Sequence, residues 1–315
     1  MKQIDLNFYP NWTRKAITFT IDDGNVKLDK KFMDIVKPAG IKGTFNLCTP
    51  LRTSIAREEF PAFYNGYEIA NHCYRHPMAF TEKTKREIKN ELFDAETADP
   101  NFAYLTEEEN LYRVAYFIPN NPKARWSHVA TDEKYLACVE ECQKELEEVF
   151  GKGSVRSFVW PYGEQKNERV IEMLKACGFQ SIRKTGCVKG TTGYALPADR
   201  SEWSYNANYP CMEETAAEFA AYPDDGELKF YCFGVHSHDF ENADRWDVLI
   251  DFCEKYGNRP EDFWYASVGE IFDYEDAVKA VEITDTEIIN HSNIHLCIKI
   301  DGVRKTLYAN SSIAL

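Results

Sequence analysis

Apolar positions along the chain follow two rhythms. Short apolar runs at 16–21, 42–47 and 67–71 predict buried strands, whereas 25–37 and 132–150 carry apolar residues at helical spacing. The same patterns predict strands at 155–160, 179–182, 228–235 and 262–266, and helices at 58–64, 81–96, 167–177, 213–222, 246–256 and 268–281. Strands that alternate with helices in this way predict parallel β/α units, and therefore an α/β fold.

Two stretches depart from this rhythm. Residues 97–130 are rich in proline and aromatic residues and read as an irregular insertion, whose aromatic rings either stack on sugars or pack against the rest of the protein. From about residue 281 the pattern changes to β strands, with Asp301-Gly302 as a hairpin turn. We therefore expect an α/β unit over 1–280, with its insertion at about 97–130, and a β-rich extension over 281–315.

Composition and net charge limit the classes of partner and the cellular compartment that we expect. The formal net charge of −14 argues against a nucleic-acid partner, whose phosphates would be repelled. The chain has no apolar run of about 18 residues and no apolar segment typical of a secretory signal near its start, so no membrane partner is expected. Ten cysteines scattered through 315 residues favour reduced thiols, and together these features predict a cytoplasmic protein.

The strand at 16–21 ends in Asp22-Asp23-Gly24. Consecutive side chains of a strand point in different directions, so one aspartate can bind a metal while the other faces a substrate or a water. Two aspartates beside an apolar run are costly without a cation or strong donors. An ordinary Asp-Gly turn explains this stretch, taken alone, equally well.

His72 and His76 follow the strand at 67–71, and their spacing of four places both on one face of a helical turn. Such a pair is weak evidence alone, but the carboxyl ends of parallel strands converge on one face of the fold. Asp23, His72 and His76 therefore make a plausible three-ligand catalytic zinc site. His291 and His295 have the same spacing but lie in a turn-like segment of the β-rich tail, where we expect no metal.

Two further strand ends carry candidate catalytic groups. Trp160-Pro161-Tyr162-Gly163 is a turn that presents a backbone N–H, a donor that can stabilise an oxyanion. His236 ends the strand at 228–235 and suits a general acid, because the pKa of histidine lies near neutral pH. A loop before the helix at 213–222 contains both Asp199 and Trp203.

Taken together, Ile21-Asp22-Asp23-Gly24, His72-x-x-x-His76, Trp160-Pro161-Tyr162-Gly163 and the strand leading to His236 resemble the polysaccharide deacetylase family (NodB homology domain, carbohydrate esterase family four). The resemblance covers roughly residues 14 to 275. It implies a distorted (β/α) barrel of about seven strands and a divalent metal, usually zinc. The implied site consists of the base Asp22, the metal ligands Asp23, His72 and His76, the backbone oxyanion donor Tyr162, the acid His236, the orienting residue Asp199, and the substrate contacts Trp160, Pro161, Tyr162, Trp203 and His238.

One position departs from the family. An arginine that tethers the base aspartate often stands two residues before the proline of the Trp-Pro-Tyr-Gly turn, and here that position is Val159. Arg75, Arg200 or no residue would take its place, so the tuning of Asp22 is an open question.

The function predicted from the sequence is metal-dependent removal of acetyl groups from an N- or O-acetylated carbohydrate. One alternative is an amidohydrolase that acts on a small cyclic or linear amide. A second alternative is a catalytically inactive carbohydrate-binding protein. The acyl-bearing molecule, the metal loaded in the cell and the oligomeric state are left open by the sequence.

Overall fold

The computed structural model describes residues 2–51, 55–79, 111–116, 125–130, 132–163, 167–187 and 194–315. The helices in these ranges are α1 (Val26–Val36), α2 (Phe60–Phe63), α3 (Asp132–Phe150), α4 (Glu168–Ala176), α5 (Met212–Ala221), α6 (Ser237–Asn242), α7 (Trp246–Tyr256) and α8 (Val268–Lys279). The strands are β1 (Ile4–Phe8), β2 (Lys15–Asp23), β3 (Thr44–Thr49), β4 (Glu68–Tyr74), β5 (Pro77–Ala79), β6 (Leu111–Tyr116), β7 (Arg125–Ala130), β8 (Ser157–Val159), β9 (Ser181–Cys187), β10 (Trp203–Tyr205), β11 (Lys229–His236), β12 (Trp264–Tyr265), β13 (Glu282–Ile283), β14 (Glu287–Asn290), β15 (Leu296–Ile300), β16 (Val303–Leu307) and β17 (Ser311–Ala314). The predicted helix at 81–96 lies outside the described residues.

The central sheet is parallel and nearly closed on itself. Its strand order is β10-β9-β8-β4-β3-β2-β11, and β12 also pairs with β2. Beyond β10, Ala207 forms a parallel bridge to Phe233 of β11, so the two ends of the sheet meet. The prediction of an α/β fold built as a distorted barrel is therefore confirmed.

Strand β2 pairs with β3, β11 and β12, and its apolar run is buried from Ala16 to Ile21. The ring centroid of Phe19 lies 4.9 Å from that of Phe32 in α1 and 5.5 Å from that of Phe45 in β3, both in edge-to-face geometry. Helix α1 begins at Asn25, whose side chain accepts a hydrogen bond from the Leu28 N–H. These contacts hold the carboxyl end of β2 beside the start of α1.

Antiparallel strands form smaller sheets around the barrel. The tail strands β15 and β16 pair across the Asp301-Gly302 turn, as expected, and β13, β14 and β17 form a second sheet. The N-terminal β1 pairs with β15, although the two are nearly the whole chain apart. The hydrophobic pattern of a segment does not indicate which distant strand it pairs with. The division of the chain at residue 281 stays a prediction.

The predicted irregular insertion contains regular structure. Strands β6 and β7 pair antiparallel with each other, and β5 pairs parallel with β7. The expectation of an irregular segment over 97–130 is therefore wrong for 111–116 and 125–130, because the backbone groups of these residues find partners that the local pattern does not reveal. The rest of the insertion lies outside the described residues.

The cysteine side chains agree with one simpler expectation. All ten cysteines are free, as the expectation of reduced thiols requires, and Cys138 and Cys142 are buried in the core. Among the helices of the described ranges, none is both long and apolar enough to cross a membrane.

Candidate metal and active site

Polar side chains from distant parts of the chain meet at the carboxyl ends of the barrel strands. Asp22 and Asp23 end β2, His72 lies in β4, and His236 ends β11. Asp22 is directly paired with His236 on one side and with Asn46 of β3 on the other. The predicted convergence of these strand ends on one face follows from the parallel order of the sheet.

Asp23, His72 and His76 place three donor atoms in a compact triangle. The Oδ1 atom of Asp23 lies 3.5 Å from the Nε2 atom of each histidine, and the two Nε2 atoms are 3.1 Å apart. Ligands about 2.0–2.1 Å from a tetrahedral zinc ion are themselves separated by about 3.3 Å. The residues present therefore fit a divalent metal, with a mixed carboxylate and imidazole donor set that suits zinc.

Unusual backbone conformations build this triangle. Asp23 has φ = 80°, and Gly24 follows with φ = 76°, which turns the Asp23 carboxylate inward. In β4 the pairing with β3 shifts by one residue between Asn71 and Tyr74, and Cys73 has φ = 70°. Such a bulge re-aims neighbouring side chains, here that of His72.

The expected helical turn for the two histidines is wrong. His72 lies on a strand, and Arg75 and His76 follow in left-handed conformations with φ of 60° and 50°. The two rings do meet, with centroids 4.7 Å apart, but through a tight turn after a strand and not through a shared helical face.

Hydrogen bonding and burial prepare these groups for a cation. His72 is buried, and its Nδ1–H donates to the carbonyl of Val159 at 2.9 Å, which leaves Nε2 facing the triangle. Burial, together with the neighbouring His72, lowers the pKa of His76 to about 3, so its imidazole is neutral. Burial opposes ionisation of Asp23, but the hydrogen bond from His72 and the two imidazoles hold the pKa of that carboxyl well below its usual range.

Asp22 is buried and is held by two donors. The Arg183 guanidinium forms an ion pair with its Oδ1 atom, and the Asn46 side-chain amide donates to the same oxygen at 2.7 Å. Burial raises the pKa of Asp22, but the charge and hydrogen bond of Arg183, together with the neighbouring His72 and His236, lower it overall. Asp22 is thus an ionised carboxylate in a largely water-excluded position.

Arg183 is the residue that binds Asp22 in place of an arginine at position 159. It lies on β9 and is the direct register partner of Val159 on β8, so the guanidinium enters the site from one strand further along the sheet. Arg200 instead forms ion pairs with Glu275 and Asp276. Sequence reasoning missed Arg183, because it lies in the polar segment Gln180-Ser181-Ile182-Arg183-Lys184, where nothing local marks it as buried. A buried arginine needs an anionic partner, and only the fold brings Asp22 to it.

His236 is oriented by a residue that sequence reasoning left without a role. Its Nδ1–H donates to Asp239 at 3.0 Å, and the same carboxylate oxygen accepts the His236 backbone N–H at the start of α6. The Nε2 atom of His236 lies 3.9 Å from the Oδ2 atom of Asp23. Burial lowers the pKa of His236, but the hydrogen bond to Asp239 and the charge of Asp22 raise it overall to about 9.

Two of the predicted substrate contacts lie at this site. The His238 ring stacks on His236 with centroids 4.6 Å apart, and its Nδ1 atom is 4.0 Å from the Oδ2 atom of Asp23. Tyr162 is 40% exposed, has φ = 56°, and its ring contacts His76 at 4.4 Å. Both side chains therefore border the space above the donor triangle.

Other predicted residues are not brought to the site. Trp160 and Pro161 are buried, and Trp160 packs against Tyr135 at 5.5 Å, so its indole is part of the core. Trp203 is likewise buried, against Phe272. Large aromatic side chains bury too much apolar area to stay exposed when a core position is available.

Asp199 is exposed and lies before the amino end of β10, whereas the site lies at the carboxyl ends. Its carboxylate accepts hydrogen bonds from the backbone and the hydroxyl of Ser201 at 2.8 and 2.6 Å. Because β10 runs parallel to its neighbour β9, a residue that precedes the strand belongs to the opposite edge of the sheet.

Comparison with known families finds a match over the first part of the chain. The model of the polysaccharide deacetylase family matches residues 10–116. The match confirms the resemblance to polysaccharide deacetylases. It spans the Asp22-Asp23 and His72–His76 motifs and ends before Trp160 and His236. A search of curated proteins finds no match.

Several solved structures align with most of the chain. A CE4 esterase from Streptococcus mutans is 15% identical, with 81% of this chain and 86% of that chain covered and a TM-score of 0.42. The Xyl-CE4 domain of a xylanase from the hindgut metagenome of Trinervitermes trinervoides is 13% identical, with coverage of 84% and 92% and a TM-score of 0.45. A CE4 family pseudoenzyme from Bacillus anthracis is 12% identical, with coverage of 84% and 67% and a TM-score of 0.42.

Proposed function

We propose that this protein is a metal-dependent hydrolase that removes acetyl groups from an N- or O-acetylated carbohydrate. The observation that carries the proposal is a buried, ionised Asp22 next to the donor triangle of Asp23, His72 and His76, with His236 facing the same triangle. The family match over residues 10–116 supports it, since it includes both aspartates and both histidines.

Asp23, His72 and His76 are the proposed ligands, and zinc is the proposed metal. When bound, a divalent metal would supply Lewis acidity, acidifying a water and polarising the acetyl carbonyl. Asp22 is the proposed general base that accepts a proton from the attacking water. Because Arg183 and Asn46 both bind Oδ1 of Asp22, we assign Oδ2 as the oxygen that takes this proton.

His236 is the proposed general acid for the departing amine or alcohol. Asp239 orients its ring and favours the protonated form, which has a proton to give. The backbone N–H of Tyr162 is proposed as an oxyanion donor, at a turn whose left-handed conformation directs the chain toward His76. His238 and the exposed Tyr162 ring are the proposed substrate contacts.

Acetate release from acetylated glucosamine oligomers and from acetylated xylan tests the proposal directly. Asp22→Asn is expected to lower the rate by about 10²–10⁴-fold, the usual contribution of a general base, without loss of bound metal. Asp34→Asn is the matched control. Asp34 is exposed on α1, and within the described residues its ion-pair partner is Lys30.

Three other outcomes would contradict the proposal. Full acetate release by Asp22→Asn would remove the proposed mechanism. Metal and sugar binding without acetate release from any substrate would favour the inactive carbohydrate-binding protein. Hydrolysis confined to small linear or cyclic amides would replace the carbohydrate with an amide substrate.

A further inference from the structure

A fourth potential ligand lies beside the donor triangle. The Sγ atom of Cys48 and the donor atoms of Asp23, His72 and His76 all lie within 4.8 Å of one another. In the structure, the Cys48 thiol donates a hydrogen bond to the backbone carbonyl of His72 at 3.1 Å. The thiol is therefore already in contact with one of the proposed metal-ligating residues.

The sheet register explains why Cys48 occupies this position. Asp22, Asn46 and Ala70 are direct partners across β2, β3 and β4, so they share one face of the sheet. Two residues further along β3 and β4, Cys48 and His72 return to that face. The register shift between β3 and β4 falls at this point, where Cys48 opposes the bulge that aims His72.

A thiolate changes which metals the site prefers. Cysteine sulfur is a soft ligand that favours zinc and other borderline ions, whereas carboxylate and water suit magnesium, calcium and manganese. On coordination the Sγ–H bond breaks, the proton leaves to solvent, and a sulfur lone pair binds the metal. A carboxylate, two imidazoles and a thiolate would complete four protein ligands, and zinc can expand to five-coordinate to admit a further group.

We propose that Cys48 is a fourth ligand of the metal at this site and makes the site selective for zinc over harder divalent ions. This inference rests on the metal site of the proposed function. It assigns a metal-binding role to a cysteine that lies outside the motifs on which the family resemblance is based. Cobalt(II) is the probe, because it replaces zinc, shows visible ligand-field bands when bound, and shows a separate near-ultraviolet charge-transfer band only when a thiolate is coordinated.

The cobalt-loaded protein is expected to show both kinds of band. Cys48→Ser and Cys48→Ala are expected to lose the charge-transfer band and to keep ligand-field bands, while Cys177→Ser, at an exposed cysteine outside the cluster, keeps both. In competition with a chelator, both Cys48 variants are expected to bind zinc at least about 10-fold more weakly, the loss typical of even an outer-sphere partner, with a smaller change for manganese.

Two results would overturn the inference in distinguishable ways. Ligand-field bands without a charge-transfer band in the unaltered protein would exclude Cys48 as a ligand and leave the three-ligand site of the proposed function intact. Absence of every cobalt band, in a protein whose folding is verified by circular dichroism, would overturn both the fourth ligand and the proposed metal site.

Discussion

The chain contains two histidine pairs with identical spacing, and the structure treats them differently. His72 and His76 meet with their Nε2 atoms 3.1 Å apart, next to Asp23 at the carboxyl end of a buried parallel strand. In the tail, exposed His291 pairs with Glu282 at 3.0 Å, and His295 accepts the backbone N–H of Ala309 at 2.9 Å. Each tail histidine thus has its own local partner.

Spacing alone therefore does not make a candidate site. The first pair depends on a bulge at Cys73, on a left-handed turn through His76, and on a carboxylate delivered by a neighbouring strand. The tail pair follows β14 in an antiparallel sheet, where the described residues bring no group of three mutually close donor atoms together. The parallel barrel gathers strand ends from distant segments, and the antiparallel tail does not.

The sharpest test removes each pair in turn. His72→Ala and His76→Ala are each expected to abolish bound metal and acetate release, because each removes one of the two imidazole ligands of the proposed site. His291→Ala and His295→Ala are expected to leave both unchanged. Elemental analysis of the purified variants measures this. Equal metal content in all four variants would mean that the two pairs do not differ in function.

A second comparison contrasts the ion pair of Arg183 with buried Asp22 and the ion pairs of Arg200, which is less buried. Arg183→Met is expected to destabilise the protein by about 3–5 kcal/mol and to impair acetate release, because it leaves the buried Asp22 carboxylate unpaired. Arg200→Met, which removes ion pairs to the largely buried Glu275 and the exposed Asp276, is expected to cost less than Arg183→Met, because Lys279 still pairs with Glu275, and to leave the rate unchanged. Urea unfolding and single-substrate kinetics measure the two effects.

A rescue variant distinguishes charge placement from mere packing. Val159→Arg combined with Arg183→Met returns a guanidinium from the adjacent position on β8. Partial recovery of stability and of rate is expected, since Asp22 regains a cation. No recovery, despite a folded protein, would mean that the position of Arg183 on β9 matters as much as its charge.

The buried carboxyl of Asp29 on α1 is expected to make the free energy of unfolding depend on pH. Burial raises the pKa of this carboxyl from 3.8 to about 7, and the Tyr64 hydroxyl donates to it at 2.8 Å. Because the folded-state pKa lies above the unfolded value, the stabilising contribution is complete below about pH 4 and is lost as the pH rises through 7. Asp29→Asn, which cannot ionise, should escape this loss.

Urea unfolding of the metal-free protein at pH 4 to 8 measures the difference. The advantage of Asp29→Asn over the unaltered protein should grow by about 3–4 kcal/mol across this range. Asp34→Asn, at an exposed position on the same helix, is the matched control variant. A constant offset for Asp29→Asn would show that this carboxyl does not titrate there in the folded state.

The smallest expected effects come from two glycines with nearly equal φ. Gly302, in the tail hairpin, has φ = 77° and open space where a Cβ would stand, so Gly302→Ala should cost about 1 kcal/mol and leave metal affinity unchanged. At Gly24, φ is 76° and a Cβ would come within 2.9 Å of Leu47 Cδ2. Gly24→Ala should cost about 2 kcal/mol and also weaken zinc binding, because it displaces the adjacent Asp23.

Urea unfolding and zinc titration of both variants test this contrast. The control is internal, because the two substitutions add the same methyl group to the same backbone conformation. Equal losses of zinc affinity would show that the turn after Asp23 does not position its carboxylate.

Local sequence determined much of this protein. Apolar periodicity located α1, α3, α7 and the strands β2, β3, β4, β8 and β11 to within a few residues, because burial of one face is encoded at each position. It missed β10, whose Trp203 was expected in a loop. The Asp22-Asp23-Gly24 and His72–His76 motifs were weak evidence separately and were recognisable together, because parallel strands bring their carboxyl ends to one face.

Only the tertiary structure decided which distant residues meet. The pairing of Arg183 with Asp22, the approach of Cys48 to the donor triangle, and the pairing of β1 with β15 all depend on strand order and register. The burial of Trp160 and Trp203, which removes them from the substrate side, depends on the same packing. Register is a property of two strands together, so the pattern along either strand alone does not contain it.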